Sequence, residues 1–256
     1  MEGVSIGASG AVVSCMDSPE VIRLHGSATC SLRSELEVAG TPYFDPLPWR
    51  LVPGRTVHIV IDGQNDFLHR DGWYATHGID ISHMQRVVEP TRRINDACRR
   101  HAVPIIWTRH GTYGVEDGGP FMRKRVLLLE GGLRKDTWGY EILDELEPQP
   151  GDRFVEKTRL SAFFKTDLEQ ILRELGAETV LLTGVLTNQC VGATSKDALY
   201  RDFMPVVVEE CVGTATPHLH EPAIEMIRVG WGQVNTLAAT LDELSAFPRA
   251  DGGDGG

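Results

Sequence analysis

The chain alternates short, continuous apolar runs with stretches in which apolar residues recur at helical spacing. Val57–Ile61 and Thr179–Thr183 are runs of the first kind, and Met84–Arg100 is a stretch of the second kind. A continuous apolar run is typical of a parallel strand that is buried on both faces. The alternation therefore predicts an α/β fold with a doubly wound, Rossmann-like parallel sheet of about six strands and helices on both faces.

The predicted elements follow one another at short intervals along the chain. The predicted strands are Val57–Ile61, Val103–Trp107, Asp152–Glu156, Thr179–Thr183, Val206–Glu209 and Gln233–Leu237. The predicted helices are Met84–Arg100, Asp167–Leu175, Val191–Arg201 and Leu219–Arg228. Thr166 and Glu169 have the spacing of a capping box at the start of the second helix, and Gly176 predicts its end.

The regular pattern does not cover the whole chain. Residues 1–45 have no sustained period and are rich in glycine and serine, so we expect a poorly ordered N-terminal extension. The regular pattern predicts one domain over residues 46–247, and we expect residues 248–256 to form a flexible tail.

Composition and charge narrow the classes of function. A chain of 256 residues with 41% hydrophobic content can form one α/β domain with a substantial core. The formal net charge of −11 argues against a nucleic-acid partner, because phosphate binding needs a basic face. We find no apolar stretch long enough to span a bilayer and no signal-peptide pattern, so we expect no membrane partner. The five scattered cysteines include no C-x-x-C pair, which disfavours disulfides and structural zinc and favours the cytoplasm.

Reactive side chains follow the predicted strands at their carboxyl ends. Parallel α/β sheets bind ligands at this edge. Asp62 comes after the first strand, Arg109 after the second, Lys157 after the third and Cys190 after the fourth. A turn cap is the alternative interpretation of Asp62, and a surface position that of Lys157. An idle charge directly after a buried run is costly, which favours a functional Asp62.

Cys190 stands beyond the end of its apolar run, at the start of the next predicted helix. A helix start presents free N–H groups and a partial positive charge. Both stabilise a thiolate, so we expect a lowered pKa for Cys190, and a nearby lysine would lower that pKa further. The same N–H groups can hold the oxyanion of a tetrahedral intermediate. Cys211 also ends a strand but lacks this polar surrounding, and we interpret it as structural.

Three segments taken together resemble a known family. They are DGQNDF at residues 62–67, the isolated Lys157, and GVLTNQCV at residues 184–191. In this order they resemble the isochorismatase-like cysteine hydrolases, a superfamily with nicotinamidases, N-carbamoylsarcosine amidohydrolases, ureidoacrylate amidohydrolases and biuret hydrolases. The resemblance covers about residues 50–240. Residues 139–176 are most similar to the ureidoacrylate branch, and PLPWRLVPGRT is also similar to the biuret branch.

The resemblance implies a role for each of these residues. Asp62 would be the base that takes the thiol proton and later the acid that protonates the leaving amine. Lys157 would hold Asp62 and Cys190 in their charged states, and Cys190 would form a thioacyl enzyme that water hydrolyses. Backbone N–H groups of Leu186 and Cys190 would form the oxyanion hole, with a cis peptide bond between Val185 and Leu186.

Other polar and aromatic residues are candidates for substrate contacts. These residues are Gln64, Phe67, Arg109, Trp138, Tyr140, Phe163, Asn188 and Gln189. For Arg109 the alternative is a surface ion pair, and for the aromatic residues it is a place in the core. His218 and His220 form an H-x-H pair without a third ligand nearby, so we expect neither a metal site nor a cofactor.

The implied activity is a cysteine-dependent amidohydrolase that cleaves a C–N bond of a small amide or ureido compound. The alternatives are hydrolysis of biuret or an N-carbamoyl amino acid, of a lactam or other cyclic amide, and of nicotinamide. WTRHGTYGVEDGG lacks the D-x-H of nicotinamidases, and RVGWGQVNTL lacks the Gln-Gly-Gly of the biuret branch. Isochorismatase activity is disfavoured because true isochorismatases have no nucleophilic cysteine. The resemblance also implies a homo-oligomer, either a dimer or a tetramer.

Overall fold

A computed structural model describes residues 49–250 of the chain. Its centre is one sheet of six parallel strands in the order β3-β2-β1-β4-β5-β6. The strands are β1 (Thr56–Ile61), β2 (Ile105–His110), β3 (Arg153–Lys157), β4 (Thr179–Val185), β5 (Met204–Gly213) and β6 (Gln233–Asn235). The predicted fold class is confirmed. The predicted extension over residues 1–45, and most of the predicted tail, lie outside the described residues.

Ten α-helices accompany the strands within the described part of the chain. They are α1 (Asn65–Leu68), α2 (Trp73–Thr76), α3 (Ser82–Gln85), α4 (Val88–Arg100), α5 (Val115–Lys124), α6 (Val126–Glu130), α7 (Leu168–Glu174), α8 (Gly192–Leu199), α9 (His220–Gly230) and α10 (Leu237–Ser245). Helices α4 and α10 contribute buried side chains to one face of the sheet, and α7, α8 and α9 contribute them to the other. None of the helices between residues 49 and 250 has the length and apolar character needed to cross a membrane.

The two central strands approach each other closely where they end. Ile61 of β1 is paired with Gly184 of β4. A Cβ atom on Gly184 would lie 2.0 Å from the Ile61 carbonyl oxygen, and Gly184 has a φ of +104°. Only glycine fits both conditions. The next residue along β1, Asp62, has a φ of +50°, an uncommon conformation for a residue with a side chain. The chain therefore turns sharply after β1 and leaves Asp62 beside the end of β4.

Several predicted boundaries differ from the structure for identifiable reasons. The predicted helix Met84–Arg100 is two helices, α3 and α4, because Pro90 cannot donate a hydrogen bond to the Arg86 carbonyl and its ring crowds that group. The predicted last strand ends early, since the Thr236 hydroxyl accepts from the Ala239 N–H and begins α10, a helix that the pattern did not indicate.

The start of α7 also differs from the prediction. Thr166 does not form the expected capping box with Glu169. Its hydroxyl donates to the Ala162 carbonyl and accepts from the Leu168 N–H at 3.3 Å. The predicted end is confirmed: Gly176 has a φ of +66° directly after the helix.

Candidate active site

Three of the strand-end residues meet at one point at the carboxyl edge of the sheet. The Lys157 Nζ atom lies 2.7 Å from Asp62 Oδ2 and donates to Cys190 Sγ at 3.3 Å. It also donates to the Arg159 carbonyl at 3.0 Å. Asp62, Lys157 and Cys190 are each at most 2% exposed. A charged ammonium therefore contacts both a carboxylate and a thiol sulfur, out of reach of bulk water.

Local structure fixes each of these side chains. Lys157 is the last residue of β3. The Thr108 hydroxyl of β2 donates to Asp62 Oδ1 at 2.6 Å and accepts from the Asp62 N–H at 3.0 Å, which holds the turn after β1 in place. Cys190 lies in one π-helical turn, Thr187–Val191, that leads into α8. A π-helical turn of this kind is frequent at functional sites.

Burial decides the protonation state of the thiol. It raises the pKa of Cys190 to about 12; the charge of Lys157 opposes this rise and the charge of Asp62 adds to it. The expected lowering of this pKa is wrong, because the cost of removing a thiolate from water exceeds what the helix start and Lys157 supply. Burial alone would lower the pKa of Lys157, but the Asp62 carboxylate outweighs it, with a further contribution from contact with the Cys190 sulfur, and this pKa is raised. The resting site is therefore a lysine–aspartate ion pair beside a neutral thiol.

His110 belongs to the same site, although the sequence pattern did not single it out. The predicted second strand ended at Trp107, but β2 continues to His110, which is paired with Lys157. The His110 Nδ1 atom lies 3.8 Å from Cys190 Sγ and 3.9 Å from Asp62 Oδ2. Burial lowers the pKa of His110 well below 6.5, and the charges of Lys157 and Arg125 add to this effect. The imidazole is therefore neutral.

The alternation of side chains along β2 separates His110 from Arg109. Consecutive strand residues point to opposite faces, so Thr108 and His110 share the face of the cluster of Asp62, Lys157 and Cys190, and Arg109 does not. Arg109 forms ion pairs with Glu141 and Glu156, both at 3.1 Å. Arg109 therefore forms surface ion pairs, which was the alternative to a substrate contact.

Each aromatic candidate packs against other side chains of the domain. Tyr140 is buried, with the Arg109 guanidinium 4.9 Å from its ring centroid. Trp138 is 52% exposed and meets His69 edge to face. Phe163 is buried against Phe203 in the core face that contains α7 and α8. Phe67 packs against Tyr74 with 4.8 Å between the ring centroids.

The amide candidates differ in burial: Gln64 is fully buried, whereas Asn188 and Gln189 are half-buried. The Gln64 amide donates to the carbonyls of His110 and Tyr140 and accepts from the His110 N–H. It thus ties the end of β2 to the turn after β1. Asn188 is hydrogen-bonded to the hydroxyls of Thr214 and Thr216. Gln189, next to the cysteine, accepts a hydrogen bond from Arg125.

The backbone near the cysteine contains one unusual bond. The peptide bond between Val185 and Leu186 is cis. Leu186 is the one residue between β4 and the π-helical turn that contains Cys190. The N–H groups of Leu186 and Cys190 are the donors that the sequence predicts for the oxyanion hole.

A group of buried side chains offers possible donor atoms to a metal ion. Asp62, His110 and Cys190 have donor atoms within 4.8 Å of one another, the one such group of three found between residues 49 and 250. The Lys157 ammonium contacts two of these donors, so its positive charge opposes a cation at the same point. His220 is buried and bonded to Thr187 and Arg86. His218 is exposed one turn away, and the H-x-H pair does not converge on one point.

The sequence of the chain is similar to those of known proteins. The sequence model of the isochorismatase domain matches residues 56–239. A ureidoacrylate amidohydrolase of Agrobacterium fabrum is 36% identical over 223 residues, which is 78% of this chain and 96% of that protein. A ureidoacrylate amidohydrolase of Stutzerimonas stutzeri is 33% identical over 219 residues, with 80% and 88% covered.

Solved structures give the same fold. A cysteine hydrolase of Pseudomonas syringae superposes with a TM-score of 0.71 at 23% identity, covering 77% of this chain and 96% of that one. The N-carbamoylsarcosine amidase of Thermoplasma acidophilum superposes with a TM-score of 0.60 at 28% identity, covering 72% and 96%.

Proposed function

Because the chain belongs to the isochorismatase domain family and is a hydrolase of carbon–nitrogen bonds other than peptide bonds, we propose that it cleaves a small amide or ureido compound through a thioacyl enzyme. The observation that carries this proposal is the Lys157 ammonium, in contact with both the Asp62 carboxylate and the Cys190 sulfur. Those three groups are what acyl transfer by a cysteine requires: a nucleophile, a base and a fixed positive charge.

In the first step the Cys190 thiolate forms only as the sulfur attacks the substrate. Cys190 rests as a thiol, so its proton passes to Asp62 as the sulfur attacks the substrate carbonyl carbon. The negative charge that leaves Asp62 appears on the sulfur and then on the carbonyl oxygen. Lys157 contacts the Asp62 carboxylate and the Cys190 sulfur. The N–H groups of Leu186 and Cys190 would donate to the negatively charged carbonyl oxygen.

The second step breaks the C–N bond. Asp62 returns the proton to the leaving nitrogen, which departs as ammonia or an amine, and the acyl group stays on the sulfur as a thioester. A water molecule then gives a proton to Asp62 and its oxygen to the thioester carbon. The acid is released and the proton returns to Cys190. The sum is one amide and one water converted to one acid and one amine.

The substrate class is proposed from the relatives. Proteins called ureidoacrylate amidohydrolases are 33–36% identical to this chain over more than three quarters of its length. A ureido compound presents a planar carbonyl between two nitrogen atoms, so attack by Cys190 can release either ammonia or an amine. Biuret, N-carbamoyl amino acids, lactams and nicotinamide share the reacting C–N group and form the comparison set.

The decisive experiment is an ammonia-release screen with the purified full chain. The panel contains ureidoacrylate, biuret, N-carbamoyl amino acids, nicotinamide and lactams, together with isochorismate assayed for pyruvate. We expect turnover of a ureido or amide compound that is lost in Cys190→Ala and in Asp62→Asn. Pyruvate release from isochorismate alone, retained in Cys190→Ala, would contradict the proposal.

A further inference from the structure

Arg125 contacts the residue that precedes Cys190 and lies between two helices, outside the strands. It is the residue between α5 and α6, and it is half-buried. Its Nη2 atom donates to Gln189 Oε1 at 2.8 Å, and Gln189 directly precedes Cys190. Its guanidinium carbon lies 4.1 Å from the ring centroid of Phe121. A hydrogen bond on one side and an aromatic ring on the other fix the position of this cation.

The charge of Arg125 is unbalanced. No carboxylate among residues 49–250 lies within 4.0 Å of its guanidinium, whereas Arg109, also near the sheet edge, pairs with two glutamates. A half-buried cation without an anionic partner keeps part of its charge available to an anion that binds from solution. The uncharged contacts to Gln189 and Phe121 occupy only part of the guanidinium, and the rest of its fork of N–H donors is free to bind an anion.

The surroundings of the thiol hold more positive than negative charge. The cations Lys157, Arg125 and Arg159 all lower the pKa of His110, after burial as the largest cause. Arg159 donates to the backbone carbonyls of Asp117 and Thr158 and has no ion pair among the described residues. The Asp62 carboxylate, which belongs to the cluster, is matched by Lys157. Two positive charges therefore remain uncompensated in a chain whose net charge is −11.

The neutral His110 imidazole lies near Arg125, because both contact the Phe121 ring. The His110 ring lies 4.9 Å from the Phe121 ring, the same ring that carries Arg125. His110 is 1% exposed and its Nε2 atom has no hydrogen-bond partner among the described residues. Two polar contacts therefore flank Cys190: the neutral His110 ring lies 3.8 Å from its sulfur, and the cationic fork of Arg125 binds the preceding residue, Gln189.

We propose that Arg125 determines specificity by binding the carboxylate of an anionic substrate while Cys190 reacts with its amide or ureido carbonyl. This inference rests on the proposed function and narrows its substrate class to compounds that bear a carboxylate. The planar guanidinium matches the two oxygens of a carboxylate, which a lysine at the same place would not do. The carboxylate does not react; it places the carbonyl over the sulfur.

The test compares two substrates that differ only in charge, an N-carbamoyl amino acid or ureido acid and its primary amide. The variant is Arg125→Gln. The matched control is Arg123→Gln, an exposed arginine two residues away on α5. We expect the wild type to prefer the acid, and Arg125→Gln to lower kcat/KM for the acid by about 10- to 100-fold, mostly through KM. The neutral amide should change less than about threefold in either variant.

A second readout does not depend on turnover. Acetate and other small carboxylates should compete with a neutral substrate in the wild type and in Arg123→Gln, and should lose this effect in Arg125→Gln. Arg125→Lys should recover part of the inhibition, because it restores the charge without the fork. Circular dichroism and the Tm establish that each variant is folded.

The two proposals fail in different ways. Equal loss on the acid and on the amide, or unchanged competition by acetate in Arg125→Gln, would overturn the role of Arg125 and leave the amidohydrolase mechanism intact. Retained amide cleavage in Cys190→Ala would instead overturn the mechanism on which the inference rests.

Discussion

The Lys157 ammonium lies 2.7 Å from the Asp62 carboxylate, and both side chains are withdrawn from solvent. Each of the two charges is balanced by the other, because the remaining contacts of the pair are to neutral groups. These groups include the Thr108 hydroxyl and the Cys190 thiol. A buried pair of this kind adds little net stability, but removal of one partner leaves the other as an unpaired buried charge.

Loss of one partner of this pair should therefore be costly to both stability and activity. We expect Lys157→Met to lower the free energy of unfolding by about 3–5 kcal/mol and to reduce kcat/KM at least about 100-fold. Urea unfolding and the ammonia assay measure the two effects. The double variant with Asp62→Asn should recover part of the stability and none of the activity. Activity that returns with stability would contradict a chemical role for the pair.

The thiol should react with alkylating reagents as a buried acid. Since burial raises the pKa of Cys190 to about 12, the rate of its modification by iodoacetamide should still increase with pH beyond 9. In the urea-unfolded chain the same rate should level off near the ordinary thiol pKa of about 8.5. Peptide mass spectrometry assigns the modified residue. A native rate that is already constant at neutral pH would indicate a stable thiolate and contradict this prediction.

The strand-end positions of Asp62, Lys157 and Cys190 could be predicted because each follows a predicted strand, and the ends of parallel strands share one edge. His110 could not, because β2 extends beyond its apolar run and the extension is set by pairing with β3. Strand β2 thus continues beyond the apolar residues from which its end was predicted.

Two other features depended on tertiary structure that no local pattern encodes. Arg125 is positioned next to Gln189 by helices α5 and α6, and it does not belong to a strand. The pKa of Cys190 was predicted in the wrong direction because the sequence displays the helix start but not the depth of burial. Gln64 lay in the right segment, and the structure shows that both ends of its amide are occupied by backbone groups.

His58 should make the fold sensitive to acid. It is fully buried, hydrogen-bonded to Thr183, and burial lowers its pKa to about 3, with a further contribution from Arg99. Below pH 6.5 the unfolded chain binds a proton at this position that the folded chain does not, so stability falls as the pH falls. Between pH 6.5 and 5 this linkage amounts to about 2 kcal/mol.

The matched variants isolate this contribution. His58→Gln should reduce the loss of unfolding free energy between pH 7 and 5 by about 2 kcal/mol, while the exposed His218→Gln should not change it. Denaturant unfolding at the two pH values provides the measurement. An identical pH dependence in His58→Gln and the wild type would show that His58 titrates normally in the fold.

Gly184 should tolerate no side chain. Its φ of +104° is unfavourable for other residues, and a Cβ atom would lie 2.0 Å from the Ile61 carbonyl oxygen. We expect Gly184→Ala to lower the free energy of unfolding by at least about 3 kcal/mol and to reduce activity in the remaining folded protein. Gly54→Ala is the control: its φ is +72° and nothing lies within 4 Å of its Cβ position. The control should cost about 1 kcal/mol. Similar costs in the two variants would locate the strain in the backbone angle alone.

Replacement of the nucleophile should separate catalysis from stability. Cys190 is 2% exposed and packs in the core face that contains Val191 and Ala198 of the same segment, so Cys190→Ala removes one sulfur and leaves only a small void. We expect a stability loss of about 1 kcal/mol and a fall in kcat of at least about 10⁴-fold. Cys190→Ser keeps the shape and should also be inactive, since a buried hydroxyl is a much weaker acid than a thiol and Asp62 cannot deprotonate it. A trapped acyl adduct on the wild type, seen by mass spectrometry after acid quenching, would be missing from both variants. The same adduct in Cys190→Ala would place the nucleophile elsewhere.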